Sequence, residues 1–287
     1  MLTNILSLYG NILLSIIILT VIFSFLELLR PAEKGQTVSK RLLNLLYFPI
    51  GLALVFVLQF LIGPFYSQAL GITRVGFLPQ FINAQSGIAA NLLFALFYAL
   101  VFDIWQYWAH RLQHTIPFLW ETHKFHHSET ALNSSTIART HVLSNLLFII
   151  LYLPVLIIVG TQTPHFIALF VMFRLWGFVN HTNLRLSLGR LTPIICGPQW
   201  HRIHHSIYVE HHDKNFATFF PFVDMLFGTY YRPMANEYPP TGLLAEEGEN
   251  FLREVTISPF SNWYKMAAKR LSEFRSSGAR AVEPPLR

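Results

Sequence analysis

The sequence contains very few cysteines and charged residues. Cys196 is the single cysteine, which excludes a disulfide framework and a cysteine-based zinc site. Asp, Glu, Lys and Arg together make up 13% of the chain, about half of their usual share in a soluble protein. So few charges could not cover the surface of an ordinary soluble globule, and they exclude disordered or nucleic-acid-binding tails. We expect Cys196 to be a small, buried apolar residue.

Apolar residues are abundant instead, at 53% of the chain, and phenylalanine alone occurs 26 times. A helix needs about 20 apolar residues to cross the hydrocarbon core of a bilayer. Five apolar runs approach or exceed that length: residues 5–29, 42–62, 87–108, 142–159 and 165–180. The sequence therefore predicts an all-α membrane protein with four to five transmembrane helices. The last two runs are short, and a re-entrant hairpin is the alternative to two full spans.

The distribution of basic residues predicts the orientation of the chain. The first loop holds four Lys or Arg residues between positions 30 and 41, whereas the second loop, residues 63–86, holds only Arg74. Because cytoplasmic loops are enriched in Lys and Arg, we expect the first loop to be cytoplasmic. The segments after the third and fifth spans then lie on the same side. The expected location is a bacterial inner membrane or an ER-like membrane.

Three regions differ in character. Residues 1–90 contain two predicted spans without a motif, and we expect them to be a membrane anchor. Residues 91–235 contain the histidine motifs described below and form the predicted catalytic domain. In residues 236–287, apolar side chains recur at helical spacing beside Lys and Arg, which is typical of a helix lying on an anionic membrane surface. We expect a loose tail from Ser276 onward, and we expect the net charge of +6 to face lipid headgroups and not nucleic acid.

Ten of the 13 histidines fall in two short windows of the sequence. Spacings of three and four residues place side chains on the same face of a helix. Imidazole is a good ligand for iron, zinc and copper. The sequence therefore predicts a metal site built from three histidine boxes: His110 and His114; His123, His126 and His127; His201, His204 and His205.

The other histidines are less clearly placed. His181 stands at the end of the fifth apolar run, at the same predicted depth as the boxes, and we include it among the candidate ligands. His211 and His212 are adjacent and diverge by about 100° on a helix, so at most one of them joins the cluster easily. A ligand role and a role in orienting a ligand both remain open for it. We expect His141 and His165 to be ordinary packing residues.

The number and type of these residues restrict the chemistry. Eight histidines in boxes exceed the three protein ligands of a typical catalytic zinc, and two metal ions are the simpler interpretation. The sequence has neither a His-Glu-x-x-His zinc-protease motif nor the paired Glu-x-x-His motifs of ferritin-like di-iron sites. An all-nitrogen pair of redox-active metals at a membrane surface indicates oxygen activation on a lipid. Oxidation of an unactivated C–H bond needs iron and not zinc or magnesium.

From about residue 97 to residue 233, the sequence resembles the fatty acid hydroxylase/sterol desaturase superfamily of membrane di-iron enzymes. The gap of eight residues between the first two boxes resembles this superfamily and not the acyl-CoA desaturases. The resemblance lies in eight segments: Asp103–Arg111, Leu119–Trp120, His123–Ser128, Thr136–His141, Asn180–Asn183, His201–Ser206, His211–Phe216 and Asp224–Tyr230.

The resemblance implies a helical scaffold with a cytoplasmic helical cap that holds two irons. It implies that O2 and two electrons are used to hydroxylate a fatty-acyl, alkyl or sterol-like lipid, with desaturation on the same scaffold as the alternative. All eight box histidines are carried over as ligands, and His181 resembles an extra ligand of some members. We expect Asp103, seven residues before His110 on one helix face, to orient a ligand imidazole. Asn183 and His212 are further candidates for such a supporting role.

The cofactor and partners follow from the same resemblance. The sequence has no His-Pro-Gly-Gly heme motif, so we expect the electrons to come from a separate ferredoxin, cytochrome b5 or reductase-like protein. Zinc can replace iron in the purified protein because it binds such sites more tightly than Fe(II). A histidine-rich metal transporter or sensor is a distant alternative. It would need polar residues along the spans, where only Asp103 and Arg174 are clearly charged.

Overall fold

The structure is a computed structural model that describes residues 2–69, 87–145, 164–243 and 251–280. These residues form helices and loops with two isolated β-bridges, so the predicted all-α fold is confirmed for this part of the chain. The α-helices are α1 (Leu2–Leu29), α2 (Val38–Ala69), α3 (Ile88–Thr115), α4 (Pro117–His127), α5 (Pro164–His181), α6 (Pro198–His204), α7 (Pro221–Phe227), α8 (Phe251–Thr256) and α9 (Ser258–Arg280). Short 3-10 helices occupy Ser134–Ala138, Gly189–Leu191 and Val209–His211.

Two of the described helices are long and apolar enough to cross a bilayer. They are Tyr9–Leu29 within α1 and Ile88–Thr115, which is α3. The second and fifth predicted spans coincide with α2 and α5, and their crossing of the membrane stays a prediction. Most of the fourth predicted span and of the second loop lies outside the described residues. The count of four to five spans and the cytoplasmic position of the cap are therefore still predictions.

The break between α3 and α4 folds the chain back on itself. A residue before proline disfavours the α conformation, and Ile116 is extended, with φ −96° and ψ 113°. Pro117 then starts α4, a position where the missing N–H of proline costs nothing. As a result α4 packs against the end of α3. The first two histidine boxes, one on each helix, face each other.

A buried apolar cluster joins the end of α3 to α6 and α7. Tyr107, Trp200, Phe216 and Val223 form its centre together with Cys196. As predicted, Cys196 is a buried free cysteine. The cluster fixes α6, which carries the third histidine box, beside the two boxes on α3 and α4.

Two buried aspartates hold the loop that leads into α7. The carboxylate of Asp224 accepts hydrogen bonds from the backbone N–H groups of Phe216 and Ala217, both at 2.8 Å. The carboxylate of Asp103 in α3 accepts hydrogen bonds from the next three backbone N–H groups, residues 218–220. Buried carboxylates are costly unless they are paired in this way. The loop is thus fixed to α3 and α7 together.

The loop between α1 and α2 packs against the histidine-bearing half of the chain. Pro31 forms a β-bridge with Leu184, and the N–H of Ala32 donates to the carbonyl of Asn183 at 2.9 Å. On the other side of the loop, the Gln36 side chain donates to two backbone carbonyls at residues 131–132. The basic first loop therefore lies at the same end of the molecule as the histidines.

Helix α9 packs with one face on α4. The rings of Trp263 and Phe118 stack with centroids 4.0 Å apart, and the indole N–H donates to the Phe118 carbonyl. The Asn262 side chain donates to Glu121 at 2.7 Å. The helix continues to Arg280, past Ser276, where we expected a loose tail.

The opposite face of α9 carries an exposed apolar stripe. Its members follow one another three or four residues apart and continue the stripe from the residue before the helix: Ile257, Phe260, Tyr264, Ala267, Leu271 and Phe274. The Tyr264 and Phe274 side chains are 76% and 77% exposed. Arg270 lies beside this stripe, whereas Lys265 and Lys269 lie toward the opposite side of the helix. The arrangement favours the predicted contact with an anionic lipid surface, which stays a prediction.

This contact can be measured with a single fluorescent label. In a Cys196→Ala background, a fluorophore attached to Leu271→Cys should be strongly quenched by brominated lipids in bilayers of anionic phospholipid, because Leu271 belongs to the stripe. The matched control is Lys269→Cys, which is also exposed but lies on the opposite side of the helix. Equal quenching at the two positions would contradict an interfacial α9.

Candidate metal site

All nine candidate metal ligands come together in two clusters at the end of α3 and α5. Within each cluster, one ring nitrogen from every histidine lies within 4.8 Å of those of all the others. The first cluster contains His110, His114, His123, His127 and His204. The second cluster contains His126, His181, His201 and His205.

The first cluster is built mainly by the α3–α4 turn. On α3, His110 and His114 are one helical turn apart, and His123 and His127 have the same spacing on α4. The Nε2 atoms of His110 and His123 are 3.1 Å apart, and so are those of His114 and His127. From α6, His204 closes the cluster, with its ring centroid 4.4 Å from that of His110. The second box thus contributes only two of its three histidines here.

The second cluster uses the remaining histidine of that box. Since His126 lies one residue before His127, it points to another side of α4 and meets His181 at the end of α5. Their Nε2 atoms are 3.1 Å apart. In α6, the Nε2 atom of His201 is 3.0 Å from that of His181 and 3.1 Å from that of His205. The ring of His127, in the first cluster, stacks on the ring of His205, in the second, with centroids 4.2 Å apart. The two clusters are therefore in direct contact.

Backbone carbonyls orient several of the imidazoles through their outer nitrogen. A metal-bound histidine normally donates its other N–H to such a group, which fixes its ring orientation and leaves Nε2 free to bind. Four Nδ1 atoms lie within hydrogen-bond distance of carbonyl oxygens: His110 to Phe216 (3.1 Å), His126 to Arg139 (3.3 Å), His181 to Gly177 (2.7 Å) and His204 to Lys214 (2.8 Å).

In this orientation, the Nε2 lone pairs of His126 and His181 point at each other. His126 and His181 both commit their Nδ1 proton to a carbonyl, so their Nε2 atoms are two acceptors that cannot form a hydrogen bond with each other. They nevertheless face each other at 3.1 Å. The Nε2 atom of His204 is also buried and has no hydrogen-bond partner among the described residues. Such an arrangement is favourable when a cation accepts the lone pairs.

Burial keeps these imidazoles uncharged. It lowers the pKa of His123, His127 and His204 well below the usual value, and neighbouring histidines lower each pKa further. The pKa values of His126, His201 and His205 are lowered in the same way. A neutral imidazole is the form that binds a metal ion. Because the imidazoles are already neutral in the folded protein, a metal ion does not have to displace protons from them in order to bind.

The distances also fit metal coordination. Two nitrogens about 2.1 Å from one metal and at right angles to each other lie about 3.0 Å apart, whereas a tetrahedral arrangement separates them by about 3.4 Å. The observed Nε2 separations of neighbouring ligands are 3.0 to 3.2 Å. Among the described residues, no carboxylate belongs to either cluster. The donor set fits metals that accept imidazole, such as iron, zinc and copper.

The three candidate supporting residues do not touch an imidazole in the way the sequence suggested. We expected Asp103 to orient an imidazole, but its carboxylate accepts the backbone N–H groups of residues 218–220 instead. It therefore acts on the loop whose Phe216 carbonyl faces His110. The Asn183 side chain contacts Glu33 and Arg202, and His212 is exposed and lies outside both clusters.

The remaining histidines have other surroundings. The buried His211 lies beside Glu237, with Nε2 3.3 Å from a carboxylate oxygen, and is not part of either cluster. His141 is a buried packing residue, as expected, with Nε2 3.1 Å from the carbonyl of Val255. The side chain of His165 lies outside the described residues.

Sequence analysis missed residues from the N-terminal region that support the site. The Arg202 guanidinium, between His201 and His204 in the chain, is fully buried and pairs with Glu33 at 2.9 Å. Glu27 and Asn44 are also buried and bond to segments that follow histidine ligands. The indication of this role in the sequence was Glu27, an acidic residue at the end of the first apolar run. Its backbone partners, Ser134 and Asn183, are more than 100 residues away in the chain, so no local pattern identifies them.

Comparison with protein families matches residues 95–229 to the fatty acid hydroxylase family. The matched segment contains eight of the predicted ligands in the three boxes and His181 as the ninth. It leaves out α1, α2 and the first residues of α3, together with α8 and α9.

Curated relatives include enzymes that differ in their lipid substrate. The chain is 35% identical over 129 residues to an alkylglycerol monooxygenase of Danio rerio, covering 45% of this chain and 28% of that protein. It is 30% identical over 155 residues to an ornithine lipid hydroxylase of Rhizobium tropici, covering 54% and 46%. It is 29% identical over 137 residues to a Delta(7)-sterol 5(6)-desaturase of Gibberella zeae, covering 47% and 37%.

The matched segments span less than half the length of each of these relatives. No solved structure matches the chain significantly. These three relatives are a monooxygenase, a hydroxylase and a desaturase, in agreement with the resemblance that the histidine boxes indicated. Residues 95–229 form a fatty acid hydroxylase domain, which confirms for this segment the resemblance to the fatty acid hydroxylase/sterol desaturase superfamily.

Proposed function

We propose that the protein is a membrane-bound di-iron oxygenase that hydroxylates a C–H bond of a lipid. The observation that supports this most directly is the pair of buried histidine clusters, in which Nε2 atoms converge at 3.0 to 3.2 Å. At the contact between His126 and His181, where both Nδ1 atoms face carbonyls, a cation makes this arrangement favourable. The family and its relatives connect such a site with lipid oxidation.

Iron is the metal that suits both the ligands and the reaction. Two irons held by these imidazoles would supply the oxidising power needed to activate O2 against an unactivated C–H bond. In hydroxylation, one oxygen atom of O2 enters the C–H bond, and the other leaves as water after uptake of two electrons and two protons. Zinc has no redox chemistry, so zinc bound in the purified protein would give an inactive form.

The protein's own residues prepare and protect the site. Five histidines would hold the first iron and four the second, and carbonyls such as those of Phe216 and Gly177 fix the orientation of their rings. Arg139 supports the same geometry from two directions: its carbonyl faces His126, and its guanidinium donates to the Phe125 carbonyl at 2.8 Å. Burial of the rings keeps bulk water away, which limits side reactions of the oxidant.

The position of the clusters suits a lipid substrate. Helix α3 starts at Ile88, and His110 lies 22 residues further on, about 33 Å along the axis. The hydrocarbon core of a bilayer is about 30 Å thick, so a spanning α3 would put the clusters at its boundary. There a lipid chain can reach the metals without leaving the membrane. The relatives named above act on an alkylglycerol, an ornithine lipid and a sterol.

Desaturation of a lipid is the second candidate function. The sterol desaturase among the relatives supports it, and its reaction starts with the same removal of a hydrogen atom. The nine histidines serve both reactions equally, and the chemical class of the product separates them.

The side of the membrane and the electron source belong to the same proposal. The first loop carries four basic residues and packs against residues 183–185, next to His181. If that loop is cytoplasmic, as its charge favours, the clusters are cytoplasmic too. A separate soluble or membrane-bound donor, such as a ferredoxin, a cytochrome b5 or a reductase, can then deliver electrons from the cytoplasm.

Substitution of single ligands tests the assignment of the two clusters. Protein produced with excess iron should bind two iron ions per chain. Both His123→Ala and His126→Ala should bind about one, because each substitution removes a ligand from a different cluster, and the double variant should bind none. Membrane insertion should be unchanged in all three. The control is His212→Ala, which removes an exposed histidine outside both clusters and should keep both iron ions.

Metal analysis and turnover of the purified protein provide the readout. Full activity of His126→Ala would refute the ligand assignment. Flux of metal ions into vesicles along a metal gradient, without consumption of O2, would favour the transporter alternative over an oxygenase.

Lipid mass spectrometry tests the reaction. Cells that contain the active protein should accumulate a lipid with one additional oxygen atom, and that atom should be isotopically heavy when the cells grow under heavy O2. A lipid that has instead lost two hydrogen atoms would identify a desaturase. Cells with the His123→Ala, His126→Ala double variant serve as the control, and an unchanged lipid profile with active protein would contradict the proposal.

A further inference from the structure

Glu27 is a buried acid in an apolar membrane helix. It lies near the end of α1, and its side chain is 1% exposed. A buried carboxylate is costly unless charged or polar groups compensate it. The residue lies outside residues 95–229, in the part of the chain that we interpreted from the sequence as an anchor.

One oxygen of Glu27 joins two distant segments. Its Oε1 atom accepts a hydrogen bond from the backbone N–H of Ser134 at 2.7 Å and another from the backbone N–H of Asn183 at 2.9 Å. The second carboxylate oxygen pairs with the Arg41 guanidinium of α2 at 2.5 Å. Helix α1 is therefore tied to α2 and to two segments of the catalytic domain through a single carboxylate.

Both segments follow directly after ligands. Ser134 begins the 3-10 helix that follows α4, seven residues after His127, and Asn183 stands two residues after His181. The carboxylate thus sets the separation between the chain leaving α4 and the end of α5. These are the two elements whose ligands His126 and His181 meet in the second cluster.

Asn44 of α2 provides a second connection to the second cluster, through Arg139 to His126. The Asn44 side chain donates to Glu129 at 2.7 Å, and its oxygen accepts from the Arg139 guanidinium at 3.3 Å. The carbonyl of Arg139 in turn faces Nδ1 of His126. Two residues therefore connect α2 with an imidazole of the second cluster.

The first cluster depends less on these contacts. Four of its five ligands lie on the continuous α3–α4 turn, and the fifth, His204, is oriented by the Lys214 carbonyl. Within the described residues, the hydrogen bonds of these five rings do not involve α1 or α2.

We propose that Glu27 is a positioning residue for the second metal cluster, holding the His126 and His181 elements at ligand distance from outside the family's domain. The inference rests on the proposed metal-binding function. It assigns to the N-terminal helices a role in building half of the site, beyond anchoring the protein in the membrane.

Metal binding by full-length variants tests this role. In Glu27→Ala, the second iron equivalent should bind about 10- to 100-fold more weakly, as is typical when a group supporting a ligand is removed, while the first equivalent is unchanged. Glu27→Gln should weaken the second equivalent alone, but less than Glu27→Ala does, because its amide oxygen can still accept both N–H groups while the ion pair with Arg41 is lost. The matched control is Thr20→Val, a buried polar residue of the same helix without a hydrogen-bond partner among the described residues.

Double variants identify the cluster that is lost. Glu27→Ala combined with His205→Ala should retain one equivalent, since both changes act on the second cluster. Combined with His127→Ala, Glu27→Ala should leave no tightly bound iron. The absorption spectrum of the Co(II)-loaded protein gives an independent readout, since Glu27→Ala should remove the bands of one site only.

The outcomes separate this inference from the proposed function. A parent protein that binds no metal contradicts the proposed function itself. Two tightly bound equivalents in Glu27→Ala overturn the positioning role alone, and equal loss at both clusters shows a general structural role and overturns it as well. If Glu27→Ala does not fold, Glu27→Gln decides: selective weakening of the second equivalent supports the inference, and equal weakening of both, or of neither, contradicts it.

Discussion

The structure depends on the convergence of uncharged imidazoles on two points. Each ring gives up bulk water and brings a lone pair close to other lone pairs, as at the 3.1 Å contact between His126 and His181. In the absence of a cation this is electrostatically unfavourable, so the surrounding fold must hold the rings in place. The α3–α4 turn, the aspartate-bound loop before α7 and the buried arginines all serve this purpose. Much of the polar interior is therefore explained by the demands of the two clusters.

Orientation of the rings relies on the backbone more than on acidic side chains. The carbonyls of Phe216, Arg139 and Lys214 accept ring N–H groups, and the carboxylates of Asp103 and Asp224 stabilise the backbone that presents one of them. A carbonyl fixes the tautomer without adding charge beside the metal, whereas a carboxylate would make the ligand more basic. Asp213 is an exception, with a carboxylate oxygen 3.5 Å from Nδ1 of His114.

The helical periodicity of the boxes was enough to predict eight of the nine candidate ligands, because spacings of three and four residues act locally, and the position of His181 at the end of an apolar run suggested the ninth. The periodicity could not divide them between two clusters. The separation of His126 from His123 and His127 depends on the rotation of α4 about its axis, which is set by α3 on one side and α5 on the other. The role of Asp103 was misjudged for a related reason, since its partners at residues 218–220 come close only in the folded chain. Glu27 accepts hydrogen bonds from two residues that lie more than 100 positions further along the chain. Contacts over such a distance cannot be recognised from a local sequence pattern.

A mechanical consequence follows from the placement of α4. The helix carries ligands of both clusters on different sides, with His123 and His127 turned toward one and His126 toward the other. A rotation of this 11-residue helix about its axis would therefore displace histidines of both clusters at once. Trp263 and Asn262 of α9 contact the same helix from outside, so a shift of that peripheral contact would reach both clusters together.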